Sequence, residues 1–233
     1  MSNGTMMQVE LNDVFKTYRK HISVHALSGV SLTLAKGDFG AVVGPSGSGK
    51  TTLLNLIGAL DKPDSGAIRI SGLDLTSTPP DRLAEFRLRH LGFVFQSYNL
   101  FPVLSVLENL EFVPALQGKP KAERAARARE LLTETGMLEL QDKRPDELSG
   151  GQQQRVAVLR AILTEPDLVL ADEPTANLDS QNASLLLDMM ERLNRERHIT
   201  FLFSTHDPAV MSRARRLIRL KDGRIARDDT REP

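Results

Sequence analysis

Short apolar runs separated by turn residues open the chain: Val9 to Val14, Val30 to Leu34, Ala41 to Val43 and Ala67 to Ile70, with Gly37, Asp38 and an Asp64-Ser65-Gly66 turn between them. Runs of this length, bounded by glycine and aspartate, predict strands. From Ser105 to Leu163 the pattern becomes helical, with alanine and charge dense over Lys121 to Glu134 and a stop at Gly136. After Pro166 the two periods alternate: strand Leu168 to Ala171, helix Asp179 to about Arg195, strand Thr200 to Ser204, a short helix after Pro208, then strand Leu217 to Leu220. That rhythm predicts an α/β fold with a mainly parallel sheet covered by helices, interrupted by a helical insertion. Asp222-Gly223 between two apolar runs predicts a closing hairpin, and Asp228 to Pro233 are expected to form a frayed tail.

A chain of 233 residues with 40% apolar side chains fits one domain, residues 1–233. Within it, a core and β subdomain over about 1–95 and 165–233 would carry a helical subdomain over about 96–164. Thirty basic residues balance thirty acidic ones, so no global basic field draws the protein to nucleic acid and none is expected as a partner. Without cysteine there is no disulfide framework and no thiol chemistry, which suits a reducing, cytoplasmic setting. Met1 to Glu10 lacks the basic segment and apolar run of a secretion signal. The uncharged stretch Leu91 to Leu107 is broken by Gln96, Ser97, Asn99 and Pro102 and falls short of the roughly 20 apolar residues of a spanning helix. Membrane association would therefore come through a partner.

The chemistry starts where strand Ala41-Val42-Val43 runs into Gly44-Pro45-Ser46-Gly47-Ser48-Gly49-Lys50-Thr51, which opens a helix over Thr52 to Ala59. The spacing G-x-x-x-x-G-K-[ST] between strand and helix is that of a phosphate-binding loop. Its glycines let successive backbone N–H groups curl round a triphosphate, and the helix N-terminus adds its positive dipole end. Lys50 supplies a point charge for the β- and γ-phosphates, and the Thr51 hydroxyl suits Mg²⁺. Strand Leu168 to Ala171 then delivers Asp172 and Glu173 at the carboxyl edge of the sheet. Asp172 would reach Mg²⁺, and Glu173 would orient and deprotonate the attacking water.

Leu148-Ser149-Gly150-Gly151-Gln152, followed by Gln153-Gln154-Arg155, resembles the signature of ABC transporter ATPases. Ser149 reads as the N-cap of a helix Gly150 to Leu163, whose two glycines leave backbone N–H groups uncovered as a second anion site. The resemblance covers essentially the whole chain and implies the P-loop cassette fold, with an N-terminal antiparallel β subdomain and an inserted α-helical subdomain. It implies ATP and Mg²⁺ as cofactors and ATP hydrolysis as the activity. It also implies roles for single residues. Tyr18 resembles the aromatic that stacks on adenine, although a strand-face aromatic also reads as core. Gln96 resembles the glutamine that touches Mg²⁺ and the attacking water, and His206 the histidine that contacts the γ-phosphate and braces the base. Asp179, in Asn177-Leu178-Asp179, resembles part of the loop that crosses to the partner's site, and it also reads as the N-cap of the next helix. Thr52 joins the loop 44–51 as nucleotide-binding. The other four histidines belong to no motif. Leu159 departs from the family, whose members commonly carry alanine there.

The resemblance implies two copies sandwiching ATP, each phosphate loop facing the other copy's Ser149, and a separate transmembrane permease driven by their motion. Ser97 to Leu104, apolar and loop-like, would line an exposed groove for a cytoplasmic helix of that permease. Leu60 to Gly66, Gly92 to Gln96 and Ala171 to Asp179 look most like the lipoprotein-release and macrolide-export branch. A soluble ATPase of the same superfamily, unconnected with transport, is the alternative.

Overall fold

A computed structural model describes residues 7–19 and 23–231. The first six residues of the Met1 to Glu10 stretch, and the end of the expected tail, lie outside that range. In chain order the elements are β1 (Met7–Arg19), β2 (Ser23–Ala35), β3 (Phe39–Val43), α1 (Lys50–Ile57), β4 (Ser65–Ile70), β5 (Leu73–Asp74), α2 (Pro80–His90), β6 (Leu91–Phe95) and α3 (Val106–Leu116). There follow α4 (Lys121–Glu134), α5 (Gly150–Ile162), β7 (Leu168–Asp172), α6 (Ser180–Arg197), β8 (Thr200–Thr205), α7 (Pro208–Arg213), β9 (Arg216–Lys221) and β10 (Arg224–Thr230). Two short 3-10 turns lie between α4 and α5.

These elements build two sheets. One is antiparallel, in the order β2-β1-β4-β5. The other runs β10-β9-β3-β8-β7-β6 and is parallel except for the β9-β10 hairpin. Strands β3 and β8 are buried along their whole length, as expected of central parallel strands covered on both faces. Their side chains alternate between two hydrophobic bodies. Ala41, Ala171 and Phe203 join the helices α3 to α6 in one, while Val42, Leu170 and Leu202 join α1 and the antiparallel sheet in the other.

Helix starts follow local polar chemistry. Ser105 and Glu108 form a reciprocal cap on α3, and Ser149 and Gln152 form another on α5. Asp179 caps α6 and Asp207 caps α7 through single backbone N–H groups. Helix α2 is absent from the expectation above, although Pro79-Pro80-Asp81 carries a start signal of the proline-at-first-turn kind. The tail is a correction. Asp228, Asp229 and Thr230 are not frayed but belong to β10, paired with Ile218, Leu217 and Arg216. The pairing is reinforced by Arg216, whose fork donates to both carboxylate oxygens of Asp228 at 2.9 and 2.7 Å. Leu159 is completely buried in the helical-side core, so its extra bulk is absorbed by packing. Among the described residues no helix is long and apolar enough to cross a membrane.

Candidate active site

The loop between β3 and α1 is held in shape by close backbone approaches. A Cβ on Gly44 would lie 2.1 Å from the Leu220 carbonyl oxygen, so no larger residue fits there. Gly49 has φ 104° and a Cβ would lie 2.4 Å from the Ala26 carbonyl oxygen, which again requires glycine. The β9-β10 turn supports the loop from behind, with Gly223 N–H donating to the Ser48 carbonyl at 3.1 Å. Lys50 Nζ lies over the loop and donates to the Gly44 and Pro45 carbonyls at 2.9 and 3.1 Å.

Tyr18, Gly44 to Gly47, Gly49 to Thr52, Gln96, Glu173 and His206 open together onto one cleft of about 710 Å³, while Ser48, also expected at the nucleotide, is buried and does not line it. Asp172 does not itself line the cleft but stands behind Thr51, whose hydroxyl donates to its carboxylate at 3.3 and 3.5 Å. Glu173 closes the far side. It adopts φ 47°, a conformation costly for a residue with a long side chain, and its N–H is pinned to the Ser204 carbonyl at 2.8 Å. Its carboxylate accepts from the Thr205 hydroxyl at 3.2 Å and stands 2.7 Å from His206 Nδ1. The His206 side chain is largely exposed and lines the cleft.

The donor set suits a triphosphate with a divalent cation. The glycine cradle, packed at Gly44 against the Leu220 carbonyl, offers backbone N–H groups, Lys50 offers charge, and Thr51 with Asp172 offers oxygens. Among the described residues no cluster of three His, Asp or Glu forms a metal site by itself, so a cation at Thr51 and Asp172 would complete its shell with substrate oxygens and water.

Tyr18 is half-buried at the end of β1, not a core residue. Its hydroxyl donates to Asp61 at 2.9 Å, and the Lys16 ammonium lies 5.2 Å from its ring centroid while donating to the same carboxylate at 2.7 Å. Burial raises the Asp61 pKa, but hydrogen bonds from Lys16, the Lys62 N–H and Tyr18 outweigh it and hold the carboxyl below its usual value. Lys16 belongs to no stretch named above, and Asp61 only to the branch-like run Leu60 to Gly66; their link to Tyr18 depends on a contact across 43 residues. Gln154 belongs to the signature run, in which no separate role falls to it. Fully buried on α5, its amide donates to the carbonyls of Phe95 and Pro174 at 3.3 and 2.7 Å, tying the strand ends that carry Gln96 and Glu173.

Ser149, Gly150, Gly151, Gln152 and Asp179 do not line this cleft. Ser149 Oγ accepts from Gln152 N–H at 3.2 Å, and Asp179 accepts from Asn182 N–H at 2.8 Å, so both act as helix caps within the chain. Asn177 donates to the Gln96 carbonyl at 3.0 Å, joining the loop before α6 to the cleft's edge. The histidines outside the motifs are structural where described. His90 pairs with Asp167 at 2.8 Å, His25 meets the Thr17 hydroxyl at 3.1 Å and His198 ends α6, while His21 lies outside the described residues.

The family model for the ABC transporter matches residues 27–176, more than half of the chain. This chain is a member of the ABC transporter family. As an ABC cassette it is an ATPase, with ATP and Mg²⁺ as its cofactors. It is 47% identical over 220 residues to the macrolide export ATP-binding/permease protein MacB of Syntrophobacter fumaroxidans, covering 93% of this chain and 31% of that relative. It is 45% identical over 223 residues to the lipoprotein-releasing system ATP-binding protein LolD of Anaeromyxobacter dehalogenans, covering 94% and 93% respectively. The bacitracin export ATP-binding protein BceA of Halalkalibacterium halodurans shares 40% over 221 residues, covering 94% and 87%. The ABC cassette thus spans about a third of the MacB relative and nearly all of the LolD relative. A solved structure of the ATP-binding cassette MJ0796, described as a dimeric post-hydrolysis state bound to ADP and Pi, superposes with a TM-score of 0.87 at 39% identity, covering 97% of this chain and 99% of that one. The branch resemblance and the fold expected from the motifs are thereby borne out.

Proposed function

We propose that the chain works as a pair of copies that close around ATP and drive a membrane permease, with export or extrusion as the direction of transport. The observation that carries this reading is the separation of the two anion sites. The phosphate loop, Glu173 and His206 share one cleft, while the capped Ser149 helix end lies outside it. A second copy could bring its own Ser149, Gly150, Gly151, Gln152 and Asp179 to that cleft without any rearrangement of the fold. The dimeric state of the MJ0796 cassette supports the same arrangement.

Tyr18 would stack on the adenine ring, and the backbone N–H groups of residues 46–52 with Lys50 would hold the phosphates. Thr51, Asp172 and Gln96 would hold Mg²⁺, which supplies charge neutralisation at the β- and γ-phosphate oxygens. Glu173, oriented by Thr205 and His206, accepts the proton of the water that attacks the γ-phosphorus as the bond to the bridging oxygen breaks. Loss of the γ-phosphate link between copies then shifts the pair toward separation.

For the permease, a second cavity of about 440 Å³ is lined by apolar side chains from α2, β6, α3 and α5 together with Asn99 and Phe101. Phe101 is 37% exposed and packs on Phe112 with ring centroids 4.3 Å apart. Val103 beside it is 72% exposed. Such a groove beside Gln96 supports docking of a permease helix, and with it a location on the cytoplasmic face of a membrane. The test is sedimentation of the Glu173→Gln variant with and without Mg-ATP. A nucleotide-dependent dimer, lost in Ser149→Arg, supports the sandwich; a monomer at high concentration with ATP bound overturns it.

A further inference from the structure

Tyr98 and Asn99, two and three residues beyond Gln96, both lie in the left-handed region, at φ 60° and 51°. Two consecutive non-glycine residues there, one of them aromatic, are strained unless their surroundings hold them. The holder is Arg160, near the C-terminal end of α5. Its Nη1 donates to the Asn99 carbonyl at 2.6 Å and its Nη2 to the Tyr98 carbonyl at 3.1 Å. Among the described residues no carboxylate pairs with this guanidinium, and burial pulls its pKa below the ordinary arginine value. A half-buried arginine whose planar fork is spent on two adjacent carbonyls fixes the path of that backbone rather than balancing a charge.

The other end of Tyr98 touches the same helix. Its hydroxyl lies 2.9 Å from where a Cβ on Gly150 would be, over the first residue of α5. Tyr98 is thus gripped along α5 at two points, by Arg160 on its carbonyl and by Gly150 under its phenol. Asn99 and Arg160 also form part of the wall of the apolar groove.

We infer that Arg160 and Tyr98 are positioning residues that set the stance of the Ser149–Gly150 helix end relative to the groove segment Ser97 to Leu104. Through them, a shift of that segment is delivered to the end of α5 that faces the other copy. This rests on the proposed role of Ser149 and its glycines at the partner's triphosphate.

The experiment uses the full chain carrying Glu173→Gln, with two readouts: ATP affinity at protein concentrations where it is monomeric, and ATP-driven self-association by sedimentation. Arg160→Gln is expected to leave ATP affinity within about twofold and to weaken association about tenfold or more, the scale of losing a charged hydrogen bond. Arg160→Lys, which keeps the charge but not the fork, should fall between the two, and Tyr98→Phe should weaken association by about threefold, as for a lost contact within a coupled set. If Arg160→Gln does not fold, as judged by its melting curve, Arg160→Lys and Tyr98→Phe carry the same comparison. Unchanged association in the folded variants overturns the inference, as does a parallel loss of ATP affinity and association, which a purely structural role would give. Ser149→Arg serves as the control: if it leaves association intact, the proposed role of the helix end is wrong, and the inference falls for that separate reason.

Discussion

Replacing Glu173 by glutamine changes one oxygen to an NH₂ group at the centre of the cleft. In the native protein the carboxylate meets two partners, the Thr205 hydroxyl at 3.2 Å and His206 Nδ1 at 2.7 Å. The amide keeps one acceptor for the Thr205 hydroxyl and turns a donor toward His206 Nδ1, a contact that is lost unless the imidazole takes the tautomer that accepts at Nδ1. For a half-buried group that costs about 1–3 kcal/mol. In a domain of this size each kcal/mol lowers the melting temperature by about 2–4 °C, so the variant stays folded. Lys50, Thr51 and the glycine loop are untouched, and ATP affinity should remain within about twofold. Turnover, by contrast, loses its general base and should fall at least ~10²-fold, about 2.7 kcal/mol of barrier. The assay is steady-state phosphate release beside equilibrium ATP binding on the same preparation. Turnover within a few-fold of the wild-type chain, with binding intact, would remove Glu173 from the role of base.

Three further outcomes follow from the geometry. Gly44→Ala drives a methyl group against the Leu220 carbonyl at 2.1 Å, and should abolish ATP binding while lowering stability by about 1–3 kcal/mol, read from binding and denaturant melts. Phe101→Asp places a charge in the apolar groove, and should abolish transport in a reconstituted system while ATP binding to the isolated chain stays within about twofold; retained transport refutes the groove. Asp61→Asn frees Tyr18 and Lys16, and should raise the KM for ATP with little change in kcat. Because the folded-state pKa of Asp61 is lowered, the stability it contributes is present above the usual carboxylate pKa and lost as pH falls through the lowered value; the stability gap between wild type and Asp61→Asn should therefore close in acid.

What the sequence discloses here is what is local. The phosphate loop, the Ser149 cap and the Asp172-Glu173 pair are contiguous, and each is recognisable because backbone geometry and chemistry demand particular residues at fixed spacing. Helix α2 is harder to see because only Leu83 and Phe86 on it are buried, too few to impose a period. Strand β10 is mostly exposed and is held by ladder hydrogen bonds and the Arg216-Asp228 fork, neither of which leaves a hydropathy pattern. The clasp of Lys16 and Asp61 on Tyr18, and the grip of Arg160 on Tyr98, join residues far apart in the chain. The apolar groove is likewise assembled from segments as distant as Leu60 and Thr164, so a reading of Ser97 to Leu104 alone finds only one rim.

The alternation of side chains along the central strands makes the parallel sheet a partition with a different room on each side. The nucleotide cradle is furnished from the room of α1, and the serine-glycine helix end from the room of α5. Under the proposed pairing, a nucleotide would join the front room of one copy to the back room of the other. A tug between them can then cross the partition along the backbone ladders of β3, β8 and β7, beside side-chain ties such as Gln154. Under that pairing, the stiffness of three short strands bears on how faithfully a pull at the phosphate of one copy reaches the α5 side of the same copy.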